Sequence, residues 1–141
     1  MTKLGRPIPV PDEQSTPFWK AAADHTLVIA RCSVCSAFTH PPDVVCPHCH
    51  STDPAFAFTP VSGYGVVRSW TVMHQSFLPG FDDIPFVLVD IELEEQPDLR
   101  IIGRLVDGES PLLTIGAAVR VAFEDLGPGI AIPAFRLEER P

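Results

Sequence analysis

Residues 30–50 read ARCSVCSAFTHPPDVVCPHCH and hold all four cysteines of the chain. Cys32 and Cys35 form one C-x2-C pair, and Cys46 and Cys49 form a second one ten residues further on. Two such pairs joined by a bend can close four sulfurs into a tetrahedron, as closed structural zinc sites do with Zn–S of about 2.3 Å. Pro41-Pro42 supplies a bend between two short strands. The same ligands would suit a rubredoxin-like iron, and two disulfides are the third possibility. The spacer is shorter than the ~15–20 residues common between two zinc knuckles. Zinc is the expectation, and a structural one, because four thiolates leave no open position for water or substrate. His48 and His50 flank Cys49 and are expected at the surface or behind the ligands. Ser36 and His50 directly follow the second cysteine of each pair, where the backbone wants φ > 0 and glycine is usual. Their presence predicts turns that are strained or differently shaped.

Upstream, Ser15 to Asp24 reads as a short helix, with Thr16 as N-cap, Pro17 at the first helical position and an alanine run behind them. Phe18 and Trp19 are large for so short a helix. They pack on the chain's own core or anchor a partner protein or an acyl ligand. Leu27–Arg31 is a strand entering the first cysteine pair. Residues 1–14 are proline-rich and without periodicity.

Downstream the pattern is β throughout. Ala55–Thr59 leaves the metal site, and residues 63–65 form a turn or bulge. Strands follow at Val66–His74, Pro85–Glu94, Leu99–Val106, Ala118–Glu124 and Ile130–Leu137, where β-branched and aromatic residues alternate with polar ones. Asp90 and Glu92 fall on the solvent side of the second of these. Five strands after a glycine-led start suit a small closed barrel of the OB type, which removes most strand edges. An immunoglobulin-like sandwich would want about seven strands. The loop Gln75–Asp83 carries Phe77, Leu78 and Phe81, apolar enough to cover a barrel mouth or meet a partner.

Composition narrows the function. The 141 residues carry a net charge of −8, are 45% apolar and 20% charged, and include 16 prolines and 9 glycines. A chain of this length buries about 68% of its unfolded surface, so it supports a core, and long helices are disfavoured. Residues 61–141 hold six arginines against thirteen acidic groups, the wrong sign for a surface that neutralises phosphates. No segment nears the ~18 apolar residues of a membrane helix. The N-terminus has no apolar signal segment, so a cytoplasmic protein is expected. All four cysteines are committed to metal, and no phosphate-cradling glycine loop is present. His74, near Asp82 and Asp83, is the best acid–base candidate, and an ordinary loop histidine is its bland alternative.

The helix, the strand, Cys32-x-x-Cys35, Pro41-Pro42, Cys46-Pro47-x-Cys49 and Ser62-Gly63-x-Gly65 together resemble domain-of-unknown-function family 35. Ser69-x-Thr71, Pro85, Gly116-x-x-Val119-x-Val121 and Pro133-x-Phe135 extend the resemblance over residues 15–137. It implies a mainly β chain with a tail and short helix (1–26), a rubredoxin-like zinc ribbon (27–60) and a five-stranded OB-fold barrel (61–141). It also implies a non-catalytic, zinc-binding scaffold subunit of a thiolase-fold acyl-CoA enzyme. That enzyme would be a thiolase, a lipid-transfer-protein-like aldolase of steroid side-chain degradation, or an acyltransferase. Catalytic side chains would belong mainly to the partner, and this chain could help hold acyl-CoA. Phe18, Trp19, Phe77 and Phe81 are the candidate partner or acyl-CoA contacts. Two other functions stay open: a single-stranded nucleic-acid binder, as many OB-folds are, and a rubredoxin-like electron carrier.

Overall fold

The computed structural model describes residues 5–138. In chain order they form α1 (Thr16–Ala23), β1 (Val28–Arg31), β2 (Phe38–Thr39), β3 (Ala57–Pro60), β4 (Tyr64–Met73), β5 (Phe86–Leu93), β6 (Arg100–Leu105), β7 (Ala118–Gly127) and β8 (Ile130–Leu137). The mainly β expectation holds. β1, β2 and β3 form a three-stranded antiparallel sheet in the order β2-β1-β3, and the last five strands close a barrel in the order β4-β5-β6-β8-β7.

Every barrel neighbour is antiparallel except β6 and β8, which pair in parallel at Arg104↔Ala134 and Leu105↔Phe135. β4 closes the barrel by pairing with β5 along its length and with β7 at residues 64–66. In β5 the period of two is complete: Val87, Val89, Ile91 and Leu93 are buried, while Phe86, Leu88, Asp90 and Glu92 face outward. Asp90 and Glu92 lie on that outer face as expected. Arg100 donates two bonds to the Asp90 carboxylate (2.7 and 3.0 Å), and Arg68 donates to Glu92 at 3.0 Å. The guanidinium of Arg100 holds the Asp90 carboxyl below its usual range.

Sequence and structure part at several boundaries. The helix starts at Thr16, so Ser15 and not Thr16 is the N-cap. Neither side chain caps the helix. Ser15 donates to Asp12 Oδ1 at 2.8 Å, and the Thr16 hydroxyl donates to the Asp12 carbonyl at 2.6 Å. Residues 64–65 are already strand, and the bulge falls between Val67 and Ser69. β7 runs three residues past Glu124 to Gly127. Only Phe38–Thr39 pairs as a strand between the two cysteine pairs; the second strand expected across the Pro41-Pro42 bend is absent among the described residues.

The helix closes with a paired-carbonyl cap. Thr26 N–H donates to the Ala21 carbonyl and His25 N–H to that of Ala22, with His25 at φ 57°. The His25 ring then stacks on Phe123 at 5.0 Å and its Nε2 lies 2.7 Å from Asp125 Oδ1, which ties the helix end to β7. Phe18 and Ala22, one turn apart, are the buried side of the helix.

One buried cluster runs through both sheets. Phe18, Leu27, Ile29 and Phe38 pack together with Val89, Ile101 and Phe135 of the barrel. Gln96, in the turn between β5 and β6, fastens the ribbon's outer edge. Its Oε1 accepts from Phe38 N–H and its Nε2 donates to the Phe38 carbonyl, both at 2.9 Å. The side-chain amide thus completes the free edge of β2 as a neighbouring strand would.

Candidate metal centre and apolar groove

The four cysteines converge. Their Sγ atoms all lie within 4.8 Å of one another, with Cys32–Cys49 at 3.8 Å and Cys35–Cys46 at 3.7 Å. A tetrahedron with Zn–S of about 2.3 Å has edges of about 3.8 Å, so the thiols stand at zinc-ligand spacing. A disulfide needs about 2.05 Å, and all four cysteines are free. The disulfide alternative therefore falls.

The two knuckles are built alike. Ser36 N–H donates to the Cys32 carbonyl and His50 N–H to the Cys46 carbonyl, both at 2.9 Å. Ser36 has φ 66° and His50 φ 62°. The turns therefore keep one shape, and strain is what the missing glycines leave behind. Backbone N–H groups of Cys49 and His48 point at Cys46 and pull its thiol down to about 6, whereas burial and the neighbouring thiols push Cys49 up to about 11. The backbone amides thus favour the ionised form of Cys46, the form that binds a metal cation. His48 Nε2 lies 3.1 Å from the Phe38 carbonyl, and neither His48 nor His50 joins the ligand set.

A test of the knuckle geometry follows. A left-handed backbone costs a residue with a Cβ about 1 kcal/mol, and a β-branched residue more. Ser36→Gly should leave the melting temperature unchanged or raise it, whereas Ser36→Val should lower it by a few degrees at full metal loading. The opposite order in a thermal melt would contradict the assigned geometry.

The second feature is a groove of about 650 Å³ on the flank of the barrel. Its floor is the outer face of β5, β6 and β8, through Leu88, Ile102 and Ile132. Phe18 and Trp19 of α1 and the turn at His40–Pro42 form one wall. Phe77, Leu78 and Phe81 of the β4–β5 loop form the other. All four aromatic residues singled out as contacts in the sequence line this one groove. Phe18 and Trp19 meet edge to face at 4.9 Å. Phe18 is buried, Trp19 and Phe81 are half-buried, and Phe77 is 74% exposed. His40 lies against Phe18, with ring centres 5.3 Å apart, and burial holds its imidazole below the usual range, so it lines the groove as a neutral ring.

One end of the groove is polar and internally paired. Arg6 donates to Glu124 at 3.1 Å, Arg104 Nε lies 3.6 Å from the same carboxylate, and Arg104 also donates to Asp83. Arg6 rests over the Phe81 ring and Arg104 over the Phe86 ring. Asp83 is thus held by Arg104, and His74 stands exposed in the loop without entering this cluster. Sequence reasoning missed Arg6, His40, Ile102, Arg104 and Glu124. Ile102 alone left a trace: in Ile101-Ile102 one isoleucine of a strand must face outward.

Comparison with known proteins adds the family. The ChsH2 rubredoxin-like zinc ribbon domain matches residues 19–55, and the ChsH2 C-terminal OB-fold domain matches residues 58–124. A probable enoyl-CoA hydratase alpha subunit of Thermomonospora curvata is 33% identical over 134 residues, 95% of this chain and 40% of that protein. The chain therefore spans well under half of that relative. A DUF35 domain-containing scaffold protein of Methanocaldococcus jannaschii is 31% identical over 99 residues, 70% of this chain and 68% of that one. A solved structure described as an Ltp2–ChsH2(DUF35) aldolase matches with TM-score 0.78 and 33% identity, over 92% of this chain and 98% of the matched one. A DUF35 protein of Sulfolobus solfataricus, at TM-score 0.58 and 12% identity over 89% of this chain and 86% of its own, shares the fold. The zinc ribbon and the OB-fold barrel expected from the sequence are both present.

Proposed function

This chain belongs to the ChsH2 (DUF35) family of zinc-ribbon and OB-fold proteins, and we propose that it is a scaffold subunit of a thiolase-fold acyl-CoA enzyme. The observation that carries this is the match at TM-score 0.78 and 33% identity to the ChsH2 chain of an aldolase described as a pair with Ltp2. The scaffold description of the archaeal relative and the enoyl-CoA hydratase description of the actinobacterial one point the same way. An aldolase partner fits the description of the matched structure better than a thiolase or an acyltransferase does.

In this reading the chain has three parts: a tail and helix (1–26), a ribbon (27–60) and a barrel (61–141). Cys32, Cys35, Cys46 and Cys49 hold one zinc ion, which supplies structural crosslinking and no open coordination site. The ribbon fixes the turn at His40–Pro42 and the barrel fixes the β4–β5 loop, so metal binding sets the shape of the groove between them. Phe18, Trp19, Phe77 and Phe81 are the side chains through which this face meets its partner or the acyl group.

A tagged pull-down at low salt from the native host tests the reading. A stoichiometric thiolase-fold protein, identified by mass spectrometry, is expected. Recovery of this chain alone, as a monomer indifferent to any such enzyme, would refute the reading, and recovery of nucleic acid would point to the OB-fold alternative.

A further inference from the structure

We infer that the open edge of β4, residues 68–73, is a self-association surface at which two copies of this chain pair strand to strand about a two-fold axis. The inference goes beyond the scaffold reading and does not rest on it, since self-association is read on the chain alone.

The barrel leaves this edge open. β4 pairs with β7 only at residues 64–66. Val67 is the last β4 residue tied on that side: its N–H donates to the Ala117 carbonyl, and its carbonyl accepts from Gly116 N–H. From Ser69 to Met73 the strand pairs with β5 alone among the described residues. The bulge between Val67 and Ser69 falls where the strands part, as suits a device that bends its strand. Arg68, Ser69, Trp70 and Thr71 are all exposed.

An open edge offers N–H and C=O groups to any strand that can pair with it, and natural proteins guard long ones with lysine, proline or a covering loop. This edge reads Arg-Ser-Trp-Thr-Val-Met, with neither lysine nor proline and with three strong strand formers. The connector between β6 and β7 approaches without sealing it. A cleft of about 370 Å³ is lined by Trp70 and Val72 from the strand and by Glu109, Pro111 and Leu113 from the connector. Trp70 is 38% exposed, and Leu112 and Ile115 of the connector are 59% and 73% exposed. Apolar side chains beside an open edge are surface that strand pairing would remove from water.

Charge points to a second copy as the occupant. A strand and its two-fold mate form an antiparallel pair in which residue i faces j and j faces i. With the axis at Trp70, Ser69 of one copy faces Thr71 of the other, and Arg68 faces Val72. Arg68 stands at the start of the edge, 42% exposed, with Nη1 bound to Glu92 and further donors to spare. Glu109 lines the cleft beside Val72, exposed and in no ion pair among the described residues. The two-fold therefore brings each arginine towards the other copy's carboxylate, twice over. A foreign strand would meet the same backbone groups without this match of charge. The net charge of −8 on each copy opposes association. At ~0.15 M salt the Debye length is about 8 Å, which screens that diffuse repulsion more than a contact pair.

Sedimentation equilibrium of the zinc-loaded full chain, over about 1 μM to 1 mM protein and at ~0.15 M salt, tests this. A monomer–dimer equilibrium is expected. Trp70→Lys sets a guarding charge in the middle of the edge and should raise the dissociation constant about tenfold or more, with circular dichroism unchanged. Ile115→Lys repeats the test at a largely exposed position of the connector, where folding is not at stake. Glu109→Arg should also weaken the dimer. Adding Arg68→Glu to it should recover association, because the double exchange restores opposite signs at both contacts.

A monomer at every concentration overturns the inference. So does a dimer that neither lysine variant weakens, which would place the contact on another face. A double exchange that recovers nothing would overturn the two-fold arrangement. A dimer weakened by both lysine variants and recovered by the double exchange supports it.

Discussion

Cys46→Ser is expected to lose the metal and unfold the ribbon between residues 30 and 60. Cys46 is fully buried, has its thiol held down by backbone amides of its own knuckle, and lies 3.7 Å from Cys35 Sγ. Structural zinc supplies binding free energy of about 10 kcal/mol to small ribbons, and that energy is folding energy. Removing one thiolate at the centre of the set forfeits most of it. The consequence reaches further than the ribbon. Leu27, Ile29 and Phe38 share one buried cluster with Val89 and Ile101, so the barrel loses its ribbon-side packing when the ribbon melts. A barrel that persists at reduced stability is therefore expected. Its melting temperature should fall by about 10 °C or more, as a loss of roughly 3 kcal/mol gives in a domain of this size. Elemental analysis should show close to no zinc. Hydrogen exchange should rise first at Ile29 and Ala30, and later in β5. A variant with one zinc per chain and unchanged melting would contradict the site.

The second large effect belongs to Gly65. Here β4 pairs with β5 and β7 at once, through Leu93 and Val119. A Cβ at this position would come 2.4 Å from the Glu92 carbonyl oxygen and 2.7 Å from Ile91 Cγ2. The oxygen is backbone in the neighbouring strand, so relief requires the barrel to open. Gly65→Ala should cost about 3 kcal/mol, the upper part of the range for overpacked cores, and Gly65→Val more. Gly127 is the control: a Cβ there meets nothing within 4 Å, so Gly127→Ala should stay within about 0.5 kcal/mol of the parent. Chemical denaturation of the three variants measures both. Equal stability of Gly65→Ala and the parent would mean that the barrel does not close at this point.

Gly65 also shows where local reading stops. Its place in a glycine-led start to the barrel was visible in the sequence, and a turn or bulge was the expectation. The structure makes it strand, because the requirement for no side chain comes from Glu92, 27 residues away, and not from the local backbone. Ser36 and His50 show the opposite case. A C-x2-C knuckle dictates its own backbone, so the need for φ > 0 after each pair was predictable from spacing alone, and both residues adopt it. The N-cap shows a third. Ser15 and Thr16 are both of capping type, and Asp12 engages both, so that neither side chain caps the helix.

The covalent spacing of four cysteines and the period of two along five strands were enough to specify a metal ribbon and a barrel. Both rest on short-range geometry: thiol reach within a knuckle, and side chains alternating across a pleat. The groove is of another kind. Phe18 and Phe77 are 59 positions apart, and the Arg6–Glu124 pair spans 118. No periodicity links such residues. Their meeting depends on how the ribbon docks on the barrel, through the shared core and the Gln96 bond to β2, and on how Arg6 lies over Phe81 of the β4–β5 loop. Those are packing outcomes of the whole chain. The aromatic residues could therefore be singled out one by one in the sequence, while their assembly into one pocket, with its charges already paired, required the folded molecule.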